Sequence, residues 1–282
     1  MKITSPINKI NLIKNMSAAL VILMTIGFMV APLASPSKLE LKKWSEFTTS
    51  SKIKLDHSIW DKILKKHITT RSQVTYFSYN KMSSDDKKAL TQYLSKMSTI
   101  NPTSLNKNEA KAYWINIYNA VTVEIVLKNY PIKSIRDIKS GFFSSGPWDT
   151  EAFTVEGQSL TLNNIEHNIL RPLFNDNRIH YAINCASYSC PNLSNTAYTH
   201  SNIESQLNNG AKIYINHSRG VKFTDSNEIE ISSIWKWFKE DFGTSEINII
   251  KHLQRYAEPE LKAKLISFDG SVNYNYNWNL NE

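Results

Sequence analysis

Two cysteines lie five positions apart in the segment Cys185-Ala-Ser-Tyr-Ser-Cys190, and the 282-residue chain contains no others. Pro191 follows them, where it removes a backbone donor and fixes φ. An ionised thiol is a strong nucleophile, but it needs a base to form it and a group to orient that base. Two thiols can instead form a disulfide if their Cα atoms come within about 5.5 Å. The residue types therefore leave both uses open.

Histidine, amide and carboxyl side chains that could serve a cysteine nucleophile occur nearby in the sequence. We expect Cys190 as the nucleophile in preference to Cys185, because it precedes a proline at a candidate helix start, where backbone donors lower a thiol pKa. His167 is the preferred base, since it precedes the cysteine segment on a predicted helix, and His180 is the alternative. The orienting group is sought among Asn184, Asn116, Asn119 and Glu166.

The residues before the first cysteine are predicted to form a strand. In Arg178–Asn184, Ile179, Tyr181 and Ile183 alternate with less apolar residues, which is the period of two expected for a strand with two unlike faces. On a regular strand His180 and Cys185, five positions apart, face opposite sides.

The longest predicted helix runs from about Asn106 to Asn129, with a polar cap, a Glu three residues later and a wide apolar stripe. Asn116 and Asn119 share one face of it. Asparagine is a poor former of helix interiors, so the pair calls for a reason. Either each amide holds a neighbouring loop, or the two orient a substrate or a catalytic partner.

The remaining pattern predicts a single mixed α/β (α+β) domain with a small sheet. Thr161 caps a predicted helix over 162–170 that ends at Pro172, and two hairpins are expected near 153–160 and 221–231. The uncharged tail 272–281 should pack back as an extended segment, with Trp278 as a candidate substrate contact. The expected divisions are a signal peptide at 1–35, a helical N-terminal region at 36–104 and the main domain at 105–282.

The N-terminus has the composition of a secretory signal. Three lysines precede the apolar run Ala18–Ala31, whose length as a helix is only about 21 Å, against a hydrocarbon core of about 30 Å. Cleavage near Ala31 to Ser35 would place the protein in the periplasm or outside the cell, with no stable membrane span left. An uncleaved N-terminal anchor is the alternative. Export would place both cysteines where a disulfide persists.

Charge and motif content exclude several classes of function. Loss of Lys2, Lys9 and Lys14 with the signal lowers the formal charge from +8 to +5, without the dense basic stripe of a nucleic-acid binder. No metal is expected, because none of the seven histidines forms a His-x-x-x-His pair and the cysteines have no second pair. A phosphate-binding glycine loop and a serine nucleophile elbow are both absent, and no cofactor is expected.

Five motifs in succession resemble those of a known family. They are Ala112–Ala120, Leu162–His167, Arg178–Pro191, Trp235–Phe242 and Tyr276–Asn281. Together they are similar to the DUF547 family, a domain of unknown function, over about residues 105–281. The resemblance implies a fold group but no established chemistry. The family's last motif usually carries Asp and Ser where this chain has Asn277 and Asn279, so a role that needs a carboxylate there is not expected. A fold-level similarity to papain-like and transglutaminase-like proteins is also expected.

Two functions follow as hypotheses. The first is an exported cysteine-dependent hydrolase or acyl transferase, with a thiol of the 185–190 segment as nucleophile and His167 as base. The second is a non-catalytic envelope binding module, whose Cys185–Cys190 disulfide shapes a cleft for a peptide, a glycan or a small molecule. The sequence does not identify the ligand.

Overall fold

The computed structural model describes residues 41–139, 141, 146–225 and 227–282; the expected signal peptide lies outside these ranges. The α-helices there are α1 Ser58–His67, α2 Ser84–Ser98, α3 Lys107–Asn129, α4 Arg171–Phe174, α5 Ile203–Asn216, α6 Ile234–Trp237, α7 Glu246–Tyr256 and α8 Pro259–Ile266. The strands are β1 Ile68–Arg71, β2 Val74–Phe77, β3 Phe153–Val155, β4 Gln158–Leu160, β5 Val221–Asp225, β6 Glu228–Ser232 and β7 Ser271–Asn275. The mixed α/β class is confirmed.

The strands form small sheets. β1–β2 and β3–β4 are two-stranded antiparallel hairpins. β5 and β6 form the other predicted hairpin, and β7 adds to β6 in parallel with Ile229 opposite Val272. The extended, packed tail is thus confirmed, because the alternating residues of 271–275 continue this sheet.

Helix α3 is the centre of the larger hydrophobic core. Every residue from Glu109 to Val123 is buried, so the helix is enclosed on all sides and not only along a stripe. Asn106 caps it by accepting a hydrogen bond from the Glu109 backbone N–H at 3.1 Å. The predicted start is confirmed, and the predicted end at Asn129 is also observed.

A smaller second core lies beneath the three-stranded sheet. Its largest buried members are Trp235 and Tyr214, with Ile229, Ile231 and Leu253 around them. Tyr181, at the end of the segment that precedes the cysteines, packs into this core. Within the described ranges, no helix is both long enough and apolar enough to cross a membrane.

The N-terminal region at 36–104 is not purely helical, contrary to the prediction. Between α1 and α2 the chain forms the β1–β2 hairpin, whose turn residues Ser72 and Gln73 have φ of 46° and 64°. These residues lack the Asn-Gly signature of such turns, so the turn signal was missing from the sequence. Side chains of α1 and α2 share the larger core with α3.

The predicted strand at 178–184 is wrong. Asn177–Tyr181 forms a 3₁₀ helix, begun by the Asp176 side chain, which accepts a hydrogen bond from the Arg178 backbone N–H at 3.1 Å. Ile179 to Asn184 are all buried, so the alternation did not mark an exposed and a buried face. Alternation alone cannot make a strand where no partner strand supplies the ladder.

The helix predicted at 162–170 continues past Pro172, contrary to the prediction. Asn164–Leu170 forms a π-helix that runs directly into α4 and ends at Asn175 with φ 47°. Thr161 does cap it, because its Oγ1 accepts from the Asn164 backbone N–H at 3.0 Å. Pro172 fits because it lies in the first turn of α4.

Candidate functional site

The Cys185 thiol lies at the centre of a compact cluster of hydrogen-bonding groups. Its sulfur is 3.0 Å from the sulfur of Cys190, 3.2 Å from Ser187 Oγ and 3.1 Å from the phenol oxygen of Tyr276. Ser187 Oγ also lies 2.9 Å from the Tyr276 oxygen. Cys185 is partly exposed, whereas Cys190 is buried. Of the two cysteines, Cys185 is therefore the more exposed residue.

The surroundings push the acidities of the two thiols apart. Hydrogen bonds from Cys190, Ser187 and Tyr276 lower the pKa of the Cys185 thiol, against the effect of burial. Burial and the neighbouring Cys185 sulfur raise the pKa of Cys190 well above its ordinary value. Cys185 is thus the more acidic of the two thiols, whereas the preference for Cys190 as the nucleophile stays a prediction. Burial keeps Cys190 away from solvent.

A strained turn presents Cys185. The next residue, Ala186, has φ of 58°, a left-handed conformation that a residue with a Cβ rarely adopts. Asn184 holds this turn, because its Oδ1 accepts from the Ala186 N–H at 2.8 Å and its Nδ2 donates to the Pro191 carbonyl at 2.7 Å. Such strain persists only where the surroundings impose it, and it is concentrated at functional sites.

The two asparagines of α3 hold loops, as one of the two interpretations had it. Asn119 accepts from the Asn184 N–H at 2.8 Å and donates to the Ala182 carbonyl at 2.9 Å, so it fixes the backbone just before Cys185. Asn116 makes the equivalent pair of bonds to the N–H and carbonyl of Tyr198. Both amides are buried and use donor and acceptor on backbone.

The C-terminal segment packs against the cysteine loop. The N–H groups of Tyr188 and Ser189 donate to the carbonyls of Asn279 and Asn277, at 2.7 and 3.1 Å. Asn281 Nδ2 donates to Asn184 Oδ1 at 3.2 Å. These bonds bring the Tyr276 hydroxyl to the thiol.

Arg219 holds the far end of the loop. Its guanidinium donates to the carbonyls of Tyr188 at 3.0 Å and Cys190 at 2.8 Å, and to Asn192 Oδ1 at 2.5 Å. No ion pair to Arg219 occurs among the described residues. The arginine therefore fixes the loop and places a positive charge on its buried side.

The histidines proposed as bases lie in a separate cluster. His167 Nδ1 is 2.9 Å from Arg171, and His180 Nε2 is 2.6 Å from Asp241. Arg171 also donates to Asp241 at 2.6 Å. Burial alone would raise the pKa of Asp241, but the hydrogen bonds of His180 and Arg171 hold it well below its usual range. In the part of the chain that is described, neither histidine hydrogen-bonds to a thiol.

Glu166 joins the histidine cluster to the neighbourhood of the thiols. It accepts from the Tyr118 hydroxyl at 3.1 Å and lies 3.9 Å from His180 Nδ1. Burial, followed by the charges of Glu166 and both cysteines, raises the pKa of Tyr118 well above its ordinary value. The geometry therefore places Glu166 beside the site, without direct contact to a sulfur.

Trp278 belongs to a group of aromatic rings beside the thiol. Its ring lies 4.6 Å from that of Tyr276, 5.5 Å from Trp237 and 5.7 Å from Trp148. Trp237 is exposed. Trp278 thus stands next to the residue that contacts Cys185, and its role as a substrate contact stays a prediction.

The structure corrects the expected disulfide and adds three residues to the partners of the cysteine loop. The structure holds both cysteines as free thiols, not as the disulfide of the second hypothesis, because 3.0 Å exceeds the bond length of about 2.05 Å. Sequence reasoning missed Ser187, Tyr276 and Arg219 as partners of the loop. Ser187 stands within the cysteine motif itself, but nothing local could indicate Tyr276 or Arg219.

Within the described ranges, no group of three His, Cys, Asp or Glu side chains is placed to hold a metal ion.

The site thus belongs to a mixed α/β protein whose partly exposed thiol is backed by a second, buried thiol. Residues 102–215 match the family model described as "Protein of unknown function, DUF547", so the chain carries a DUF547 region and the resemblance is confirmed there. The motifs at 235–242 and 276–281 lie beyond the match. No curated protein and no solved structure matches the chain. The similarity to papain-like and transglutaminase-like folds stays a prediction.

Proposed function

We propose that the protein is an exported cysteine-dependent hydrolase or acyl transferase, with Cys185 as its nucleophile. The observation that carries the proposal is the hydrogen bonding of the Cys185 sulfur to Cys190, Ser187 and Tyr276, on a strained turn that leaves residue Cys185 partly exposed. Hydrogen bonds to a thiolate favour the ionised, nucleophilic form over the thiol.

The reaction would proceed through a thioester on Cys185. The thiolate attacks the acyl carbon, the bond to the leaving group breaks, and water or a second nucleophile then takes the acyl group from sulfur. With no histidine bonded to the thiols in the described ranges, the leaving group takes its proton from Ser187, Cys190 or water. Such weak acids suit leaving groups of low basicity, which favours thioesters and activated esters over amides.

The test is a substrate series with one acyl group and three leaving groups. We expect the full chain to cleave an S-acyl thioester and a p-nitrophenyl ester, and to leave the p-nitroanilide intact. Cys185→Ser should abolish turnover. Cys190→Ser should retain most of it, because a serine hydroxyl still donates to the thiolate. Turnover by Cys185→Ser equal to that of the wild type would refute Cys185 as the nucleophile.

A second candidate is supported by the sulfur–sulfur distance of 3.0 Å. Oxidation by a hydroperoxide, which takes up the two thiol hydrogens and is reduced to an alcohol and water, would join the sulfurs with little movement and give the non-catalytic binding module with a disulfide-shaped loop. A thiol count on protein purified without reductant separates the two functions. Two free thiols favour the enzyme, whereas none, together with unchanged ligand binding after Cys→Ser at both positions, favours the binding module.

A further inference from the structure

A cavity of about 630 Å³ lies between the β1–β2 hairpin, the loop after Pro191 and helix α5. This volume falls within the range of ligand pockets. The cavity wall does not include Cys185. It therefore raises a separate question, namely which class of molecule it accepts.

The residues that line the cavity carry no formal charge. The chain has 33 Lys and Arg and 25 Asp and Glu, yet none of the described residues lining the cavity is one of these or a histidine. Of the 15 lining residues, six carry side-chain amides and six carry hydroxyls. The amides are Gln73, Asn192, Asn195, Asn202, Gln206 and Asn209. A lining of this kind gives no compensation to an anion or a cation, so the fitting ligand is neutral.

Several of these amides are already fixed by the protein. Asn192 Oδ1 accepts from the Thr75 N–H at 3.0 Å, and Gln206 Oε1 accepts from Ser194 Oγ at 2.8 Å. Asn202 donates to the Ala197 carbonyl at 3.0 Å. The walls are thus preorganised, which reduces the entropy lost on binding.

Other polar groups of the wall are without partners. The Thr75 hydroxyl oxygen is buried and has no hydrogen bond in the described part of the chain. The Gln73 and Asn209 side chains likewise make none there, although both residues are exposed. The exposed Gln73 and Asn209 amides are therefore free to bond to a ligand, whereas the enclosed Thr75 hydroxyl is not accessible to one.

We propose that this cavity binds a neutral oligosaccharide. Each sugar hydroxyl both donates and accepts, and a side-chain amide offers a donor and an acceptor side by side, so the two match. An extended peptide fits less well, because it binds through a free strand edge. Here the Thr75 N–H is taken by Asn192 and the Phe77 N–H by the Asn281 carbonyl.

The test is calorimetric titration of the full chain with three neutral trisaccharides, chitotriose, cellotriose and maltotriose. The cationic glucosamine trimer and a blocked trialanine serve as comparison ligands. We expect at least one neutral trisaccharide to bind, and the glucosamine trimer, which shares the chitotriose scaffold, to bind more weakly. Binding of the blocked peptide alone, or of none of the neutral sugars at millimolar concentration, would overturn the proposal.

Two variants connect binding to the cavity. Asn209→Ala and Gln73→Ala should each weaken binding of the sugar by about 3- to 10-fold, the loss of one hydrogen bond. Thr69→Val, on the exposed part of the same hairpin, is the control and should leave affinity unchanged. Affinity unaltered by both cavity variants would place the sugar elsewhere and refute the site.

Discussion

The phenol oxygen of Tyr276 lies 3.1 Å from the sulfur of Cys185, although 91 positions separate the two residues. The tyrosine follows directly after β7, whose parallel pairing with β6 fixes the start of the tail. The thiol environment is therefore completed by the last residues of the chain. Any change that detaches the tail should alter the reactivity of the thiol.

Tyr276→Phe should raise the pKa of the Cys185 thiol, because it removes one hydrogen bond to the thiolate. The midpoint of the pH profile of iodoacetamide alkylation should then move upward, and the alkylation rate below that midpoint should fall. Tyr274→Phe is the matched control, since its hydroxyl bonds to Glu246 instead of a sulfur. An unchanged midpoint in Tyr276→Phe would show that the phenol does not stabilise the thiolate.

Oxidation should convert the two thiols into a disulfide and stop thiol chemistry. A hydroperoxide would oxidise the Cys185 thiolate to a sulfenic acid and be reduced to the alcohol, after which Cys190 would attack the sulfur and release water. The product loses two hydrogens, which intact mass measurement detects, and alkylation of Cys185 ceases until a dithiol reductant is added. In Cys190→Ser the sulfenic acid should persist and trap with dimedone. Equal trapping in the wild type would exclude Cys190 as the resolving thiol.

Asn119→Ala should destabilise the protein by about 2 to 6 kcal/mol. It leaves the Asn184 N–H and the Ala182 carbonyl buried without partners, and each such group costs about 1 to 3 kcal/mol. Urea unfolding measures the difference. Asn129→Ala, at the end of the same helix, removes a partly exposed bond to the Ile125 carbonyl and should cost well below 1 kcal/mol. Equal losses for the two variants would contradict the role of Asn119.

The parts of the fold that could be predicted depend on local patterns. Helix α3, the β3–β4 and β5–β6 hairpins and the extended tail follow from caps, alternation and turn residues. The β1–β2 hairpin lacks a turn signature, and its two turn residues adopt left-handed φ imposed by the strands. The segment at 178–184 shows a strand pattern, but Asn119 and Asp176, which are not part of that pattern, bind its backbone.

The residue types of the candidate site could be predicted from the sequence, but the role of each individual residue could not. The two cysteines drew attention to the loop that the structure surrounds with hydrogen-bonding groups, and the paired asparagines of α3 pointed to loops that need holding. Packing decides which cysteine is exposed. The Tyr276 hydroxyl, which hydrogen-bonds to the Cys185 sulfur, comes from far along the chain. The partner of His167 could not be predicted either. It is Arg171, one helical turn away, and not a sulfur.

Stability should fall as the pH is lowered from about 6.5 to 4. Burial lowers the pKa of His57 and of His252 from 6.5 to about 4, so in this window the unfolded chain binds more protons than the folded one. Each histidine then lowers the free energy of unfolding by about 3 kcal/mol between pH 6.5 and pH 4. The carboxyls of Asp56 and Asp176, with pKa values of about 2 in the folded state, add their own loss only below pH 4.

The part of this loss due to His57 can be isolated, because its Nδ1 is 2.8 Å from the Tyr93 hydroxyl and its Nε2 is buried without a partner in the described ranges. Tyr93→Phe with His57→Leu removes the histidine without leaving that hydroxyl unpaired, and Tyr93→Phe alone is the control. Urea unfolding at pH 7 and pH 4.5 should show a smaller drop for the double variant than for the control, by about 2 kcal/mol. Equal drops would mean that His57 takes up no proton on unfolding, contrary to its burial.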